Sequence, residues 1–376
     1  MMKNGCLPIP QALNLANKRL IQTKMHAIAD CRIEDLSTAL QDIYAPKAQW
    51  RGSHPMNELE GAEAIAATAW LPLKTSFPNL ERRDEILVGG RYRNRHGEEQ
   101  DMVACIGHYC GTFVEDWLDI PATGQPIFLR YGEVHILDGD QIVQSTCLWD
   151  VLDVIRQAGF WPLAPSWGTE GRWMGPITCD GLVLSEQDMD EGLASIAQTL
   201  EMHATLGAYK DHEMKGRDGL INMPQKEHWH EKMMWYGPSG IGTTRALEGF
   251  VDFHQLPFRL FWPGRKGGQS IINEEAASGK ATDSGHYIQI GDGPYSVTGG
   301  WPSVIAQNMG GGLFGSGTTG KRTEMRVMDF YLHHEGKIRE NWVPIDVIHI
   351  LLQLDVDIMA RVRDQFGRNK LGLRHR

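Results

Sequence analysis

The chain is short of cysteine, of basic charge and of long apolar runs, and each shortage excludes a class of protein. Six cysteines occur among 376 residues: Cys6, Cys31, Cys105, Cys110, Cys147 and Cys179. None forms a Cys-x-x-Cys pair and no compact disulfide framework is visible, so reduced thiols and a cytoplasmic location are expected. Lys and Arg number 37 against 47 Asp and Glu, a net charge of −10. Phosphate backbones and anionic bilayers call for a basic face, so neither nucleic acid nor membrane is expected as a partner. No run approaches the ~18 uninterrupted apolar residues of a spanning helix. The first twenty residues carry no apolar stretch ahead of a small-residue cleavage site, so no signal peptide is expected. A small-molecule ligand fits this balance better.

What is present is a repeat. Thr123-Gly124 recurs as Thr319-Gly320, Arg130 as Arg326, Ile142 as Ile338, Asp150-Val151 as Asp346-Val347, and Gln157 as Gln353. Each pair is separated by 196 positions (346 − 150, for example), so the stretch repeats without a gap. Upstream, Trp50-Arg51-Gly52 answers Trp235-Tyr236-Gly237, Leu59-Glu60-Gly61 answers Leu247-Glu248-Gly249, and Gly107-His108-Tyr109 answers Gly285-His286-Tyr287. So many matches in one order imply a tandem duplication. The length suits two domains, at roughly 100–200 residues each. The expected division is a leader over 1–30 that belongs to neither copy, a first domain over 31–165, a linker over 166–190 rich in Pro and Gly, a second domain over 191–366, and a tail over 367–376.

Within the first copy, apolar spacing predicts helices over Ile28–Ile43 and Glu60–Lys74. Strands are expected over Glu85–Tyr92, Met102–Val114, Ile127–Leu137 and Gln141–Leu148, the last two joined by an Asp-Gly turn. Asp150 then opens the helix Val151–Ala158. The second copy repeats the plan with a helix over Leu193–Met214, strands near Gly285–Gly291, Thr323–His333 and Lys337–Val343, and a helix over Val347–Val362. Helices first and an antiparallel meander after imply an α+β class: two tandem cone-shaped domains, each a curved sheet wrapped by its N-terminal helices.

The run Arg130-Tyr131-Gly132-Glu133-Val134-His135, followed by Asp138-Gly139, Ile142-Val143 and Trp149-Asp150-Val151-Leu152-Asp153, resembles the C-terminal signature of SnoaL-like polyketide cyclases. These belong to the nuclear transport factor 2-like superfamily. Arg326, Asp329, Glu335 to Trp342, Ile345-Asp346 and Gln353-Leu354 resemble it in the second copy. The resemblance implies a cystatin-like cone, cofactor-free acid/base chemistry, and aldol-type ring closure on a carbonyl-bearing small molecule. It further implies that Asp150 or Asp346 takes a proton beside the carbonyl and that His135 stabilises the oxygen. Isomerisation, dehydration or hydrolysis in the same pocket is the alternative, as is a module that only binds. In the last case aromatics such as Phe113, Trp117, Phe330 and Trp342 would fill the cones. By the same resemblance the two copies pack sheet to sheet as an intramolecular pseudo-dimer, and further self-association stays open.

Each candidate has a plainer reading beside it. Asp150 and Asp346 stand where a strand gives way to a helix, and Asp there is among the best helix caps. Glu133 and His135 are two apart on one strand and share a face; copy two has Asp329 and Tyr331 in their places. His108 and His286 are candidate ligand contacts, as are Trp149 and Trp342 as cavity wall. No metal or cofactor is expected. Gly315 to Lys321 mimics a phosphate loop, but Arg322 stands where a Ser or Thr would hold Mg²⁺ and a strand follows. Glu227-His228-Trp229-His230-Glu231 and His333-His334 have ligand types without a complete ligand spacing.

Overall fold

The computed structural model describes residues 5–94, 97–207, 216–263, 266–267 and 287–372. The first copy contains β1 (Cys6–Leu7), α1 (Gln11–Asp30), α2 (Leu36–Gln41), β2 (Tyr44–Gly52), β3 (Glu58–Glu60), α3 (Gly61–Ile65) and α4 (Leu71–Ser76). It continues with β4 (Glu81–Arg93), β5 (Glu99–Thr112), β6 (Pro126–Asp138), β7 (Gln141–Trp149) and α5 (Val151–Gln157). Its sheet runs in the order β1-β4-β5-β6-β7-β2-β3. Only the β2–β7 pair is parallel, because the chain reaches β2 before it builds the meander.

The second copy contains α6 (Met189–Gly207), α7 (Gly216–Ile221), β8 (Trp229–Tyr236), β9 (Thr244–Arg245), α8 (Ala246–Phe250), α9 (Leu256–Phe261), β10 (Lys266–Gly267) and β11 (Ile288–Asp292). It closes with β12 (Tyr295–Gln307), β13 (Arg322–His334), β14 (Lys337–Trp342), α10 (Val347–Gln353) and α11 (Ile358–Gly372). The order is β10-β12-β13-β14-β8-β9, with β11 also on β12. The two copies are two α+β domains of one plan, as the repeat implied.

The structural register corrects part of the sequence alignment. Trp50 lies beside Ser145 and Trp235 beside Asn341, so that upstream match holds with 185 residues between copies (235 − 50). The same spacing carries the π-helical turn Ala66–Trp70 onto Val251–Gln255, and Leu71–Ser76 onto Leu256–Phe261. It pairs Gly61 with Ala246, both left-handed at φ +78° and +56°, so the Leu-Glu-Gly match is out of step by three residues. The Gly-His-Tyr match is not structural either. Gly107–Tyr109 lies in β5, whereas Tyr287 directly precedes β11, the counterpart of β4.

Residues 11–30 are no leader. Helix α1 packs across β4 and β5, and its Ile21, Met25 and Ile28 are fully buried in the first domain's core. Its apolar stripe supplies one wall of the cone, and β1 extends the sheet edge. The segment after α5 is strapped to the second domain through the Thr169–Thr243 bridge and hydrogen bonds to Glu170.

The outer faces of the two sheets meet. Ile86, Val88, Ala104 and Ile136 of the first pack with Ile290, Val297, Phe330 and Trp342 of the second in one buried cluster. A buried ion pair crosses this joint: Lys18 Nζ lies 2.7 Å from Asp292 Oδ2, which also accepts the Gly89 N–H at 2.9 Å. Among the described residues no helix is long and apolar enough to span a membrane.

Candidate functional site

The capping aspartates are turned into the joint between domains. Asp150 Oδ1 accepts the Asp153 N–H at 3.0 Å, while Oδ2 takes Arg130 Nη2 at 2.7 Å and the Ser239 N–H at 2.9 Å. Asp346 repeats this with the His349 N–H at 3.1 Å, Arg326 at 3.1 Å and the His54 N–H at 2.8 Å. Burial pushes both carboxyls up, and the neighbouring arginine opposes it in each. The spaces beside them hold about 10 Å³, a single water's worth. The expectation that these carboxylates stand at the lip of a chamber is therefore corrected: their oxygens are taken up by a helix cap, an arginine and the partner domain's backbone.

In the first domain the cone is filled. Trp70 and Trp149 meet edge to face at 5.7 Å, and Trp50 and Tyr109 close on the same rings. Arg82 lies in the middle and donates to Glu133 at 2.7 Å, to Asp84 at 2.9 Å and to Tyr109. Trp149 Nε1 and the Tyr109 hydroxyl donate to Glu133 as well, each at 2.9 Å. Burial alone would raise the Glu133 carboxyl, but Arg82 together with hydrogen bonds from His135 and Trp149 outweighs it and holds the group well below the usual carboxylate range. His135, fully buried, sits 2.8 Å from Ser145 Oγ. A carboxylate held ionised among an arginine, a tyrosine and an indole does not have the raised pKa expected of a catalytic base. Glu133, His135 and Trp149 are thus core residues here, contrary to the site expected from them.

The second domain differs at the same strand positions. Asp329, 196 residues after Glu133, shares one face of β13 with Met325, Val327 and Tyr331. Those three belong to the apolar core under α8 and α9, along with Trp235, Phe250 and Phe258. Trp70's counterpart is Gln255, which turns aside to pair with Gln225 at 2.9 Å. With that indole gone from the centre, Asp329 keeps part of its surface accessible although protein surrounds it. Burial drives its carboxyl up to about 7, and hydrogen bonds from Asn341 and Tyr331 only partly oppose this. Asn341 Nδ2 is 3.5 Å away, and no cation among the described residues offsets the burial as Arg82 does in the first copy.

Tyr331 links this carboxyl to a third group. Its hydroxyl lies 2.7 Å from His203 Nε2 on α6, and its ring shares the strand face of Asp329. Burial, then the adjacent Asp329, raises the phenol well above its ordinary value, so it stays a neutral donor. Asp329 thus lies beside a Tyr331–His203 hydrogen-bonded pair in an apolar setting, a grouping of titratable side chains associated with acid/base sites.

Of the residues singled out from sequence, Asp329 and Tyr331 are brought together. Trp342 is corrected from cavity wall to domain joint: it stacks on Tyr236 at 5.3 Å and donates to the Met174 carbonyl. His108 lies on the first sheet's outer face beside Glu85, and His286 falls outside the described residues. His203 and Asn341 were missed. Asn341 was visible as the position matching Ser145, whereas His203 had no local signal because only α6 packing on the sheet brings it in.

Comparison with known proteins adds the following. No family model matches the chain, and no curated protein does. Among solved structures, it is similar to a protein from Jannaschia sp. CCS1 assigned by inference as a SnoaL-like polyketide cyclase: 16% identity, 40% of this chain and 95% of that one, TM-score 0.32. It is similar to IdmH from Streptomyces antibioticus, a polyketide cyclase by inference, at 18% identity over 38% and 99%, TM-score 0.32. A nuclear transport factor 2-like protein from Burkholderia thailandensis E264 matches at 20% over 39% and 98%, TM-score 0.28. The fold class itself rests on the strands and helices above: two α+β domains in tandem, each a mainly antiparallel sheet wrapped by helices.

Proposed function

We propose that the second domain takes a proton from carbon next to a carbonyl of a small molecule, with Asp329 as the base. Ionised Asp329 would abstract the proton, and Tyr331, backed by His203, would donate a hydrogen bond to the enolate oxygen. The enolate carbon then attacks a second carbonyl in the same molecule, whose C=O opens to an alkoxide that takes the proton back from Asp329, the aldol-type closure that the cyclase resemblance implies. Isomerisation through the same enolate uses the same groups. The first domain serves as a rigid partner with no chemistry of its own.

One observation carries this reading: a carboxyl near pKa 7 on the same strand face as a tyrosine joined to a histidine. A base is most useful when its pKa lies near the working pH, and this one does. The test is hydrogen–deuterium exchange at the acidic carbon across a panel of β-keto esters, followed by NMR. The parent and Asp150→Asn should both catalyse exchange, and Asp329→Asn should lose it. Parent-like exchange by Asp329→Asn would end the assignment.

A further inference from the structure

A second candidate site lies far from that chemistry, on the outer face of the first domain's sheet. A cleft of about 380 Å³ opens where Gly171 and Trp173 of the connecting segment cross the strands. That is the size of an ordinary small-molecule site. Three adjacent strands place Arg83, His108 and Arg130 side by side in one row across its floor. Arg83, Arg130 and Arg156 line it with Glu85 and Asp153, and Arg83 is already paired with Glu81 at 2.9 Å.

The groups divide into those already engaged and those left over. Arg130 is spent on Asp150 and lies 5.1 Å over the Trp173 ring, which it holds as a wall. Arg156 is fixed by its Nε, 2.8 Å from Asp153, and its guanidinium lies flat on Gly171, where a Cβ would come within 3.0 Å of Nη2. Both terminal nitrogens of Arg156 have no acceptor among the described residues. His108 Nδ1 is 2.8 Å from Glu85 Oε1, so the N–H points at the carboxylate. In the neutral ring this leaves Nε2 as an acceptor, and it has no partner among the described residues. Phe128, 45% exposed, sets its ring edge-on to His108 at 6.3 Å.

We propose that this cleft binds a small hydroxyaryl carboxylate. The carboxylate sits on the terminal nitrogens of Arg156, a planar pairing suited to a guanidinium. The ring lies against Phe128 and Trp173, and the hydroxyl donates to His108 Nε2. An apolar wall, one free cationic fork and one free acceptor match that ligand class and not an aliphatic chain or a bare phosphate.

The experiment is calorimetric titration of the full chain with 3-hydroxybenzoate and 4-hydroxybenzoate. At least one should bind saturably, one per chain. Arg156→Gln and His108→Gln should each weaken it about tenfold or more, as loss of a charge-assisted or a buried hydrogen bond does. The matching hydroxybenzamide and methoxybenzoate should bind about tenfold more weakly. Asp329→Asn should bind as the parent does. The proposal is overturned if neither acid saturates, if the amide binds as well as the acid, or if both cleft variants match the parent. Loss of binding in Asp329→Asn alone would also overturn it, by moving the ligand into the second domain.

Discussion

The backbone N–H of His54 lies 2.8 Å from Asp346 Oδ2, so a loop of the first domain completes the helix cap of the second. Ser239, 185 residues further on, returns the contact to Asp150 at 2.9 Å. The duplication has preserved a reciprocal tie about a pseudo-twofold axis. The tie explains why both aspartates recur without any need for them in catalysis.

The two ties are unequal, and this sets a first prediction. Arg130 keeps Asp153 at 3.2 Å if Asp150 is removed, whereas Arg326 would be left with only the neutral Asn57 and Gly52 oxygens. Stranding a buried cation costs about 3–5 kcal/mol, and a lost cap about 1 kcal/mol. Asp346→Ala should therefore destabilise by about 3–4 kcal/mol and Asp150→Ala by about 1–2 kcal/mol. Urea titrations monitored by tryptophan fluorescence measure both. Equal costs would show that Arg326 finds another acceptor.

Glu133 supplies a second prediction. Its carboxylate is fully buried against Arg82, which retains only one charged partner, Asp84, if Glu133 is neutralised. Glu133→Gln should cost about 3 kcal/mol at pH 7 while leaving carbon-acid exchange per folded molecule unchanged. The folded carboxyl is held below its ordinary 4.5, so its stabilisation is present above that pH and is lost as pH falls toward the folded value. The gap between parent and variant should accordingly shrink below pH 4.5. A constant gap would show that packing, not charge, makes the difference.

Most strands rich in β-branched and aromatic residues were legible, and β4 to β7, β13 and β14 fall within a few residues of their expected bounds, but β12 was missed, its run interrupted by Gly299, Gly300 and Pro302. Strands β2 and β8 lack the regular in–out alternation of the meander strands, and each lies parallel to a strand far along the chain. The helix expected over Ile28–Ile43 breaks at Cys31, and the one over Val347–Val362 breaks at Asp355, which takes φ +63°. Asp150 and Asp346 were read correctly as helix starts, yet which way a carboxylate turns depends on the other domain. Asp329 stood in the right place in the repeat, but its raised carboxyl follows from burial with no arginine beside it to do what Arg82 does for Glu133, and only packing reveals that.

Tyr331 offers a third prediction, on rate. Removing its hydroxyl leaves Asp329 in place but takes away the donor aimed at the enolate oxygen. Tyr331→Phe should lower kcat for exchange by about 10²–10³-fold with little change in KM. His203→Gln, which keeps a partner for the phenol, should cost less. If Tyr331→Phe raised KM and spared kcat, the hydroxyl would be a binding contact and not a stabiliser of developing charge.

The last prediction ties Asp329's chemistry to the stability of the fold. Its carboxyl rises from 3.8 to about 7 on folding, so between those values the folded state holds a proton that the unfolded state has released. Stability therefore falls as pH rises from about 4 to about 7 and is level above. Asn has no proton to lose, so Asp329→Asn should match the parent near pH 4 and gain on it up to pH 7. A shift of this size corresponds to roughly 4 kcal/mol if wholly expressed; because the side chain keeps accessible surface, about 2 kcal/mol is expected. The rate of exchange must run the other way, because the base works only when ionised. In the parent, kcat/KM should climb through about pH 7 and then flatten, over the very interval in which stability is lost. Measuring both curves on one preparation separates a strained base from a buried structural acid: the latter would show the stability curve with no matching rise in rate.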